Sequence, residues 1–143
     1  MQLHGEYAYR MDPQGRVALP ARYRDLFRAG IYLTRGFDAC VWAFSVPEWE
    51  SYSAKYASMS ANSRTARALR RRVFGSTFSL EIDRQGRVLI PSPLRSYAKL
   101  EEDVVIVGAG TWLEIWDRAG WEAELSNLDE QNLDIDDIER GEQ

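Results

Sequence analysis

The sequence predicts one α+β domain, rich in short strands and assembled from two copies of a single unit. Three observations carry this expectation. The run Asp12-Pro13-Gln14-Gly15-Arg16-Val17-Ala18-Leu19-Pro20 returns 71 residues later as Asp83-Arg84-Gln85-Gly86-Arg87-Val88-Leu89-Ile90-Pro91, and Arg24 returns as Arg95. Residues 11–27 and 82–98 agree at seven of 17 positions, and a fixed internal offset decides architecture before any local pattern does. Beyond this run, Gly36, Phe44 and Trp49 match Gly108, Trp116 and Trp121 at an offset of 72, so one residue has been gained in between. Finally, a unit of this size buries too little surface to be stable alone, while 143 residues make one domain of ordinary size. Both copies must share one fold.

Each element follows from local pattern. Leu3 to Met11 carries strand-like aromatics at Tyr7 and Tyr9 and leads into the first glycine turn. Val17 and Leu19 form a short strand that ends at Pro20, a residue favoured in a first helical turn; the helix spans Arg22 to Arg28, with Gly30 past its end. Ile31–Arg35 and Val41–Phe44 read as strands around a Gly36-Phe37-Asp38 turn. Pro47 opens a helix whose Trp49, Tyr52 and Tyr56 recur on one face. Asn62-Ser63 caps a second helix ending before Gly75, with Ala66, Leu69 and Val73 as its buried stripe and Arg64, Arg67 and Arg71 on another face. From Thr77 the order restarts: strand, Gly86 turn, strand, Pro91, a helix to Leu100, then strands at Val104–Val107 and Leu113–Trp116. Asp117 is the expected cap of a last helix carrying Trp121 and Leu125. Beyond Ser126 the chain is acidic and poor in aromatics, the composition of a disordered tail or a loosely attached helix.

The charge is unevenly spread. Of 22 acidic and 18 basic residues, seven acids and one base (Arg140) fall in residues 126–143, leaving 15 acids and 17 bases in residues 1–125. Arg64, Arg67, Arg70, Arg71 and Arg72 lie within nine residues. That run is open to three readings: a second nucleic-acid surface, a solvated face, or a partner for the acidic tail. The net charge of −4 therefore says little about partners. A single cysteine, Cys40, in an apolar run and a single histidine, His4, exclude an internal disulfide, a cysteine zinc site and a multi-histidine metal site within one chain. Carboxylates are plentiful, but no nucleophile–base pair or phosphate-cradling glycine loop accompanies them, so an enzyme is not expected. No segment has the apolar length of a membrane span and the first residues begin no signal peptide, which makes cytosol the expected compartment. The five tryptophans follow strand and helix periodicity and are read as core or subunit-interface packing rather than as base-stacking platforms.

The repeated motif has a mechanical logic. Gly15 and Gly86 permit the positive φ of a tight turn between strands. Asp12 and Asp83 can accept backbone N–H bonds inside the turn, and Gln14 and Gln85 offer a donor and an acceptor at its tip. Arg16 and Arg87 follow the bend, where a guanidinium can grip a phosphate or read guanine with two parallel bonds. The competing reading is a hairpin whose Asp and Arg merely pair with each other. Two copies at matching positions favour a binding loop.

These units, together with Thr34-Arg35-Gly36, Leu113-Glu114-Ile115-Trp116-Asp117 and Arg70-Arg71 before Gly75-Ser76, resemble the MraZ family of bacterial transcriptional regulators associated with the division and cell-wall gene cluster. The resemblance covers Leu3 to Leu125. It implies two swapped-hairpin half-domains of the SpoVT/AbrB type, at about 5–47 and 76–119, forming one pseudo-twofold, barrel-like domain. Residues 48–75 would be a helical linker, and 120–143 a C-terminal helix and acidic tail. It further implies a nucleoid-associated protein that binds double-stranded DNA at tandem direct repeats upstream of its own operon, assembles as a ring-shaped homo-oligomer (octamer or dodecamer), and needs no cofactor or metal. Carried over by position, Arg16 and Arg87 are the DNA-contacting arginines, on loops formed by Asp12, Gln14, Gly15, Asp83, Gln85 and Gly86. Arg22, Arg24 and Arg95 are candidate phosphate contacts. The copies are unequal, because Ser92-Pro93-Leu94 replaces Ala21-Arg22-Tyr23 and removes one arginine and one backbone donor. The alternative is an antitoxin-like adaptor of the same fold, although its toxin-wrapping segment would have to be this short acidic tail.

Overall fold

The computed structural model describes residues 1–131 and Ile138, and in it the two copies trade strands. The first copy contributes β1 (Glu6–Arg10), β2 (Arg16–Ala18), β3 (Ile31–Arg35) and β4 (Val41–Ser45); the second contributes β5 (Phe78–Leu80), β6 (Arg87–Leu89), β7 (Asp103–Gly108) and β8 (Leu113–Asp117). A six-stranded antiparallel sheet runs β1-β7-β8-β4-β3-β5, and β2 and β6 form a separate two-stranded ribbon. Thus β1 lies on β7 of the other copy, with Tyr7 opposite Ile106, and β5 lies on β3, with Phe78 opposite Leu33. The copies meet where β4 pairs with β8, Trp42 facing Glu114. The strand-rich α+β class is as the sequence predicts. The barrel-like closure is not found: among the described residues the sheet keeps β1 and β5 as edge strands.

Alternation along the central strands builds two cores from one sheet, since successive side chains leave a strand on opposite faces. On one face Ile31, Leu33, Val41, Ala43, Val104, Ile106, Leu113 and Ile115 pack with Val17 and Val88 of the ribbon. On the other, Trp42, Phe44, Val105 and Trp116 join an aromatic cluster with Trp49, Tyr56 and Trp121. Four tryptophans are buried and Trp112 is half-buried, so all five take the packing role their spacing suggests. Phe44 stacks on Tyr52 with centroids 4.8 Å apart, and Tyr32 on Trp49 at 5.2 Å. Cys40 is wholly buried in this cluster, and loss of hydration pushes its thiol pKa up, away from nucleophilic use.

Helices cover the aromatic face: α1 (Val46–Ala57), α2 (Arg64–Gly75) and α4 (Arg118–Gln131); a short α3 (Ser92–Tyr97) and a 3-10 helix (Ala21–Phe27) follow the two ribbon strands. Ser63 caps α2 as expected, accepting from the Ala66 N–H at 3.2 Å. Three details depart from the sequence reading. Leu69 is exposed, and α2 is fastened to α1 instead by Arg70, whose Nη1 donates to Tyr56 O at 2.8 Å and Ala57 O at 2.6 Å. These carbonyls lie in the last turn of α1, where a cation also meets the negative end of the helix dipole. The second short helix stops at Tyr97 rather than Leu100, because Lys99 turns left-handed (φ 55°) and Leu100 N donates back to Arg95 O at 3.0 Å. Asp117 does not serve as the expected cap, since its carboxylate accepts the Glu101 N–H at 3.1 Å. Of the tail, residues 126–131 continue α4; the expectations for 132–137 and 139–143 lie outside the described residues.

The exchange has a measurable consequence. Residues 1–75 alone retain β1 but not β7, its pairing partner, and bury neither core completely. We expect neither 1–75 nor 76–143 to give a native monomer by circular dichroism and amide exchange, and mixing the two to restore the native spectrum.

Candidate nucleic-acid interface

The two turns are the same object built twice. In the first, Asp12 Oδ1 accepts the N–H groups of Gln14 and Arg16, each at 2.9 Å, and Gly15 N donates to Asp12 O at 2.9 Å. In the second, Asp83 Oδ1 accepts from Gln85 and Arg87, each at 2.9 Å, and Gly86 N donates to Asp83 O at 3.0 Å. The other carboxylate oxygen holds the arginine: Arg16 Nε donates to Asp12 Oδ2 at 2.7 Å and Arg87 Nε to Asp83 Oδ2 at 2.8 Å. The backbone N–H of Arg16, more than its guanidinium, keeps the Asp12 carboxyl below the usual carboxylate range, and Arg87 does the same for Asp83. Both glycines adopt positive φ, 90° at Gly15 and 77° at Gly86.

Pairing of β2 with β6 sets the turns side by side. Arg16 lies opposite Leu89 and Ala18 opposite Arg87, with Val17 and Val88 facing each other at the local pseudo-twofold axis. Leu19 N donates to Gly86 O and Ile90 N to Gly15 O, both at 2.9 Å, so each turn is stitched to the strand leaving the other. Arg87 Nη1 also comes within 3.8 Å of Asp12 Oδ2.

Sequence-expected residues are distributed unevenly over this ribbon. Gln14 and Gln85 stand exposed at the tips, and Arg16 and Arg87 are about one-third exposed, their Nε used inward. Each Asp–Arg pair therefore exists, as the competing reading held; its hydrogen bond uses Nε, and about a third of each arginine side chain stays exposed. A guanidinium fixed in this way meets a phosphate or a base edge without first losing rotamer freedom. Arg22 is exposed, its Cζ 5.3 Å from the Tyr23 ring centre. Arg24 and Arg95 are half-buried against the turns, Arg24 Nε donating to Leu19 O at 2.9 Å. Two further residues of this surface were missed in the sequence. Arg84 is exposed beside Gln85 where the first copy has Pro13, and Leu89 is half exposed on β6 opposite Arg16. A cation at the one variable position of a repeated turn was the signal for Arg84; nothing in strand alternation distinguished Leu89.

Elsewhere the surface offers less. A cavity of about 540 Å³ is lined by Glu101, Glu102, Asp103, Asp117, Arg118 and Glu122. Among the described residues no three or more His, Cys, Asp and Glu gather to hold a metal, and no helix is long and apolar enough to cross a membrane.

Comparison with known proteins places the chain. A family model described as "MraZ protein, putative antitoxin-like" matches twice, over residues 2–72 and 73–140. A protein of Acetivibrio thermocellus named transcriptional regulator MraZ is 41% identical over 120 residues, 84% of each chain. One of the same name from Thermomicrobium roseum is 41% identical over 124 residues, 87% of each chain. A third, from Salinispora tropica, is 38% identical over 133 residues, 93% of this chain and 94% of its own.

Two tests follow from the turn geometry. A Cβ on Gly15 would lie 2.6 Å from Arg95 Nη1 in a conformation that side chains rarely adopt. Gly15→Val should therefore cost about 1–3 kcal/mol in urea unfolding, from backbone strain before any crowding is added. Because Asp12 and Asp83 have lowered pKa values when folded, their stabilisation is present above the unfolded carboxylate range, about pH 4, and is lost as pH falls through the lowered values. Acid titration of an Asp12→Asn, Asp83→Asn double variant should show a flatter fall in stability below that pH than the parent chain.

Proposed function

The chain belongs to the MraZ family, and on that premise we propose that it is a sequence-specific, double-stranded DNA-binding transcriptional regulator that represses its own division and cell-wall operon from tandem direct repeats upstream. The observation that carries this reading is the ribbon: two congruent turns, joined by β2–β6 pairing, each holding an arginine by Nε with about a third of its side chain exposed. A two-stranded ribbon is narrow enough to enter a major groove, where a paired Nη edge matches guanine O6 and N7. Arg16 and Arg87 carry base or phosphate contacts, Gln14 and Gln85 extend them, and Asp12, Asp83, Gly15 and Gly86 shape the loops. Arg22 and Arg84 supply phosphate contacts at the flanks, and Leu89 offers an apolar surface to a thymine methyl.

The strand exchange supports reading the halves as swapped-hairpin units of the SpoVT/AbrB type, with boundaries near 5–47 and 76–119. One chain supplies only one ribbon, so repeated targets favour a ring-shaped homo-oligomer that presents several ribbons at once. Linked sites raise effective concentration without new contacts. The protein is then cytoplasmic and nucleoid-associated, works without cofactor or metal, and is not an enzyme. The family description favours a second reading, an antitoxin-like adaptor. Copurification of one stoichiometric small partner, with no DNA affinity in the purified protein, would select it.

Binding to DNA from the protein's own upstream region, against scrambled repeats and across salt concentrations, tests the first reading. Arg16→Ala should lose roughly 10- to 100-fold in specific affinity, about 1–3 kcal/mol for one bidentate contact, with fold intact. Arg87→Ala should also lose specific affinity, by a different factor, since the copies differ where Pro93 replaces Arg22. Parental affinity in both variants would refute the reading. Light scattering at micromolar concentration should give an assembly several times 16.4 kDa; a stable monomer would rule out the ring.

A further inference from the structure

Arg24 and Arg95 sit one repeat apart and behave as partners of the opposite turn. Arg24 belongs to the first copy, yet its stem lies across Gly86 of the second: a Cβ there would meet Arg24 Cδ and stand 2.5 Å from its Nε. Arg95 belongs to the second copy and lies across Gly15 of the first, its Nη1 2.6 Å and its Cζ 2.9 Å from where a Cβ would stand. Both glycines are buried under these side chains, although they occupy the tips of turns. Arg24 is anchored in this position by Leu19 O, whose own N–H reaches Gly86 O. Arg95 differs: its Nε is buried without a hydrogen-bond partner among the described residues, and its guanidinium packs over Gly15.

From this we propose that Arg24 and Arg95 are crossed positioning residues: each clamps the arginine-bearing turn of the other copy, Arg24 holding the Gly86-Arg87 turn and Arg95 the Gly15-Arg16 turn. This assignment takes the phosphate contact expected of both and replaces it with an indirect role. It rests on the DNA-binding reading for its consequence, but not for its geometry. The clamp also gives the glycines a reason beyond φ, because any side chain there would evict the arginine that covers it. A positioning role and a phosphate contact make different demands. A phosphate needs the positive charge, which lysine keeps; the clamp needs the flat guanidinium and, at Arg24, its Nε donor, which lysine lacks.

Hydrogen exchange followed by mass spectrometry on the full-length protein reads the clamp without DNA. Arg24→Ala should speed exchange of the amides of residues 85–87 by roughly tenfold while those of 14–16 hold, and Arg95→Ala should do the reverse. Arg24→Lys and Arg95→Lys, which disturb packing less, should show the same crossed pattern if the alanine variants fold poorly. An effect on the turn of the same copy, or on neither turn, overturns the proposal. DNA titrations of the same variants supply the second arm. The clamp predicts weakened binding in the lysine variants with the salt slope unchanged, and non-additive loss for Arg24→Ala with Arg87→Ala but additive loss with Arg16→Ala. A fall of about 1 in salt slope for Arg24→Ala or Arg95→Ala, with lysine restoring affinity, identifies a phosphate contact instead and overturns the clamp. Crossed exchange together with full DNA affinity in Arg16→Ala and Arg87→Ala leaves the clamp standing and removes the DNA-binding reading alone.

Discussion

Everything on the candidate surface depends on the reciprocal pair of backbone bonds from Leu19 N to Gly86 O and from Ile90 N to Gly15 O. They close the β2–β6 ribbon, and the ribbon is only three residues long on each side. A two-stranded ribbon this short has no stability of its own in water. It persists because Val17 and Val88 are wholly buried against the six-stranded sheet, where Leu19 and Ile90 join them. The exposed turns are thus tied to the deepest core by one residue on each strand. The same strands that show their Asp–Arg pairs outward bury their valines inward, a direct use of the two-residue period.

Much of this is legible in the sequence. The offset of 71 through the turns and of 72 afterwards reappears in the elements: β2 and β6 begin 71 apart, β4 and β8 begin 72 apart, and so do α1 and α4. Continuous apolar runs located β4 and β7, because a strand buried on both faces shows no polar alternation. What could not be read was long-range. Nothing in the local pattern of Tyr7 says that it will lie opposite Ile106, and nothing in Leu69 says that an arginine will hold α2 in its place. Left-handed Lys99 shortened α3 through a backbone choice that propensity does not encode.

At the site, residue identity was legible and residue use was not. Asp12, Gly15 and Arg16 form the turn their types suggest, but the division of labour inside each guanidinium is set by the fold. Nε bonds the aspartate of its own turn, and Arg87 Nη1 also approaches Asp12 of the other. The arginine-rich run makes the same point. Arg67, Arg70 and Arg72 donate to Ala61 O, to Tyr56 O and Ala57 O, and to Gly36 O respectively, so a run that reads as a charged surface serves partly as helix and loop capping. Only Arg64 and Arg71 of the five are exposed.

Joining two copies in one chain also releases them from identity. In a dimer of identical subunits, a change at one turn is a change at both, and the target it reads must mirror that symmetry. Here Pro93 can differ from Arg22, and Arg84 from Pro13, while the ribbon that joins them stays intact. The two ends of the ribbon are then distinguishable, and a surface with distinguishable ends has polarity. Under the proposed DNA-binding reading such a surface would sit one way round on a duplex, and a row of ribbons would match sites that all point in the same direction.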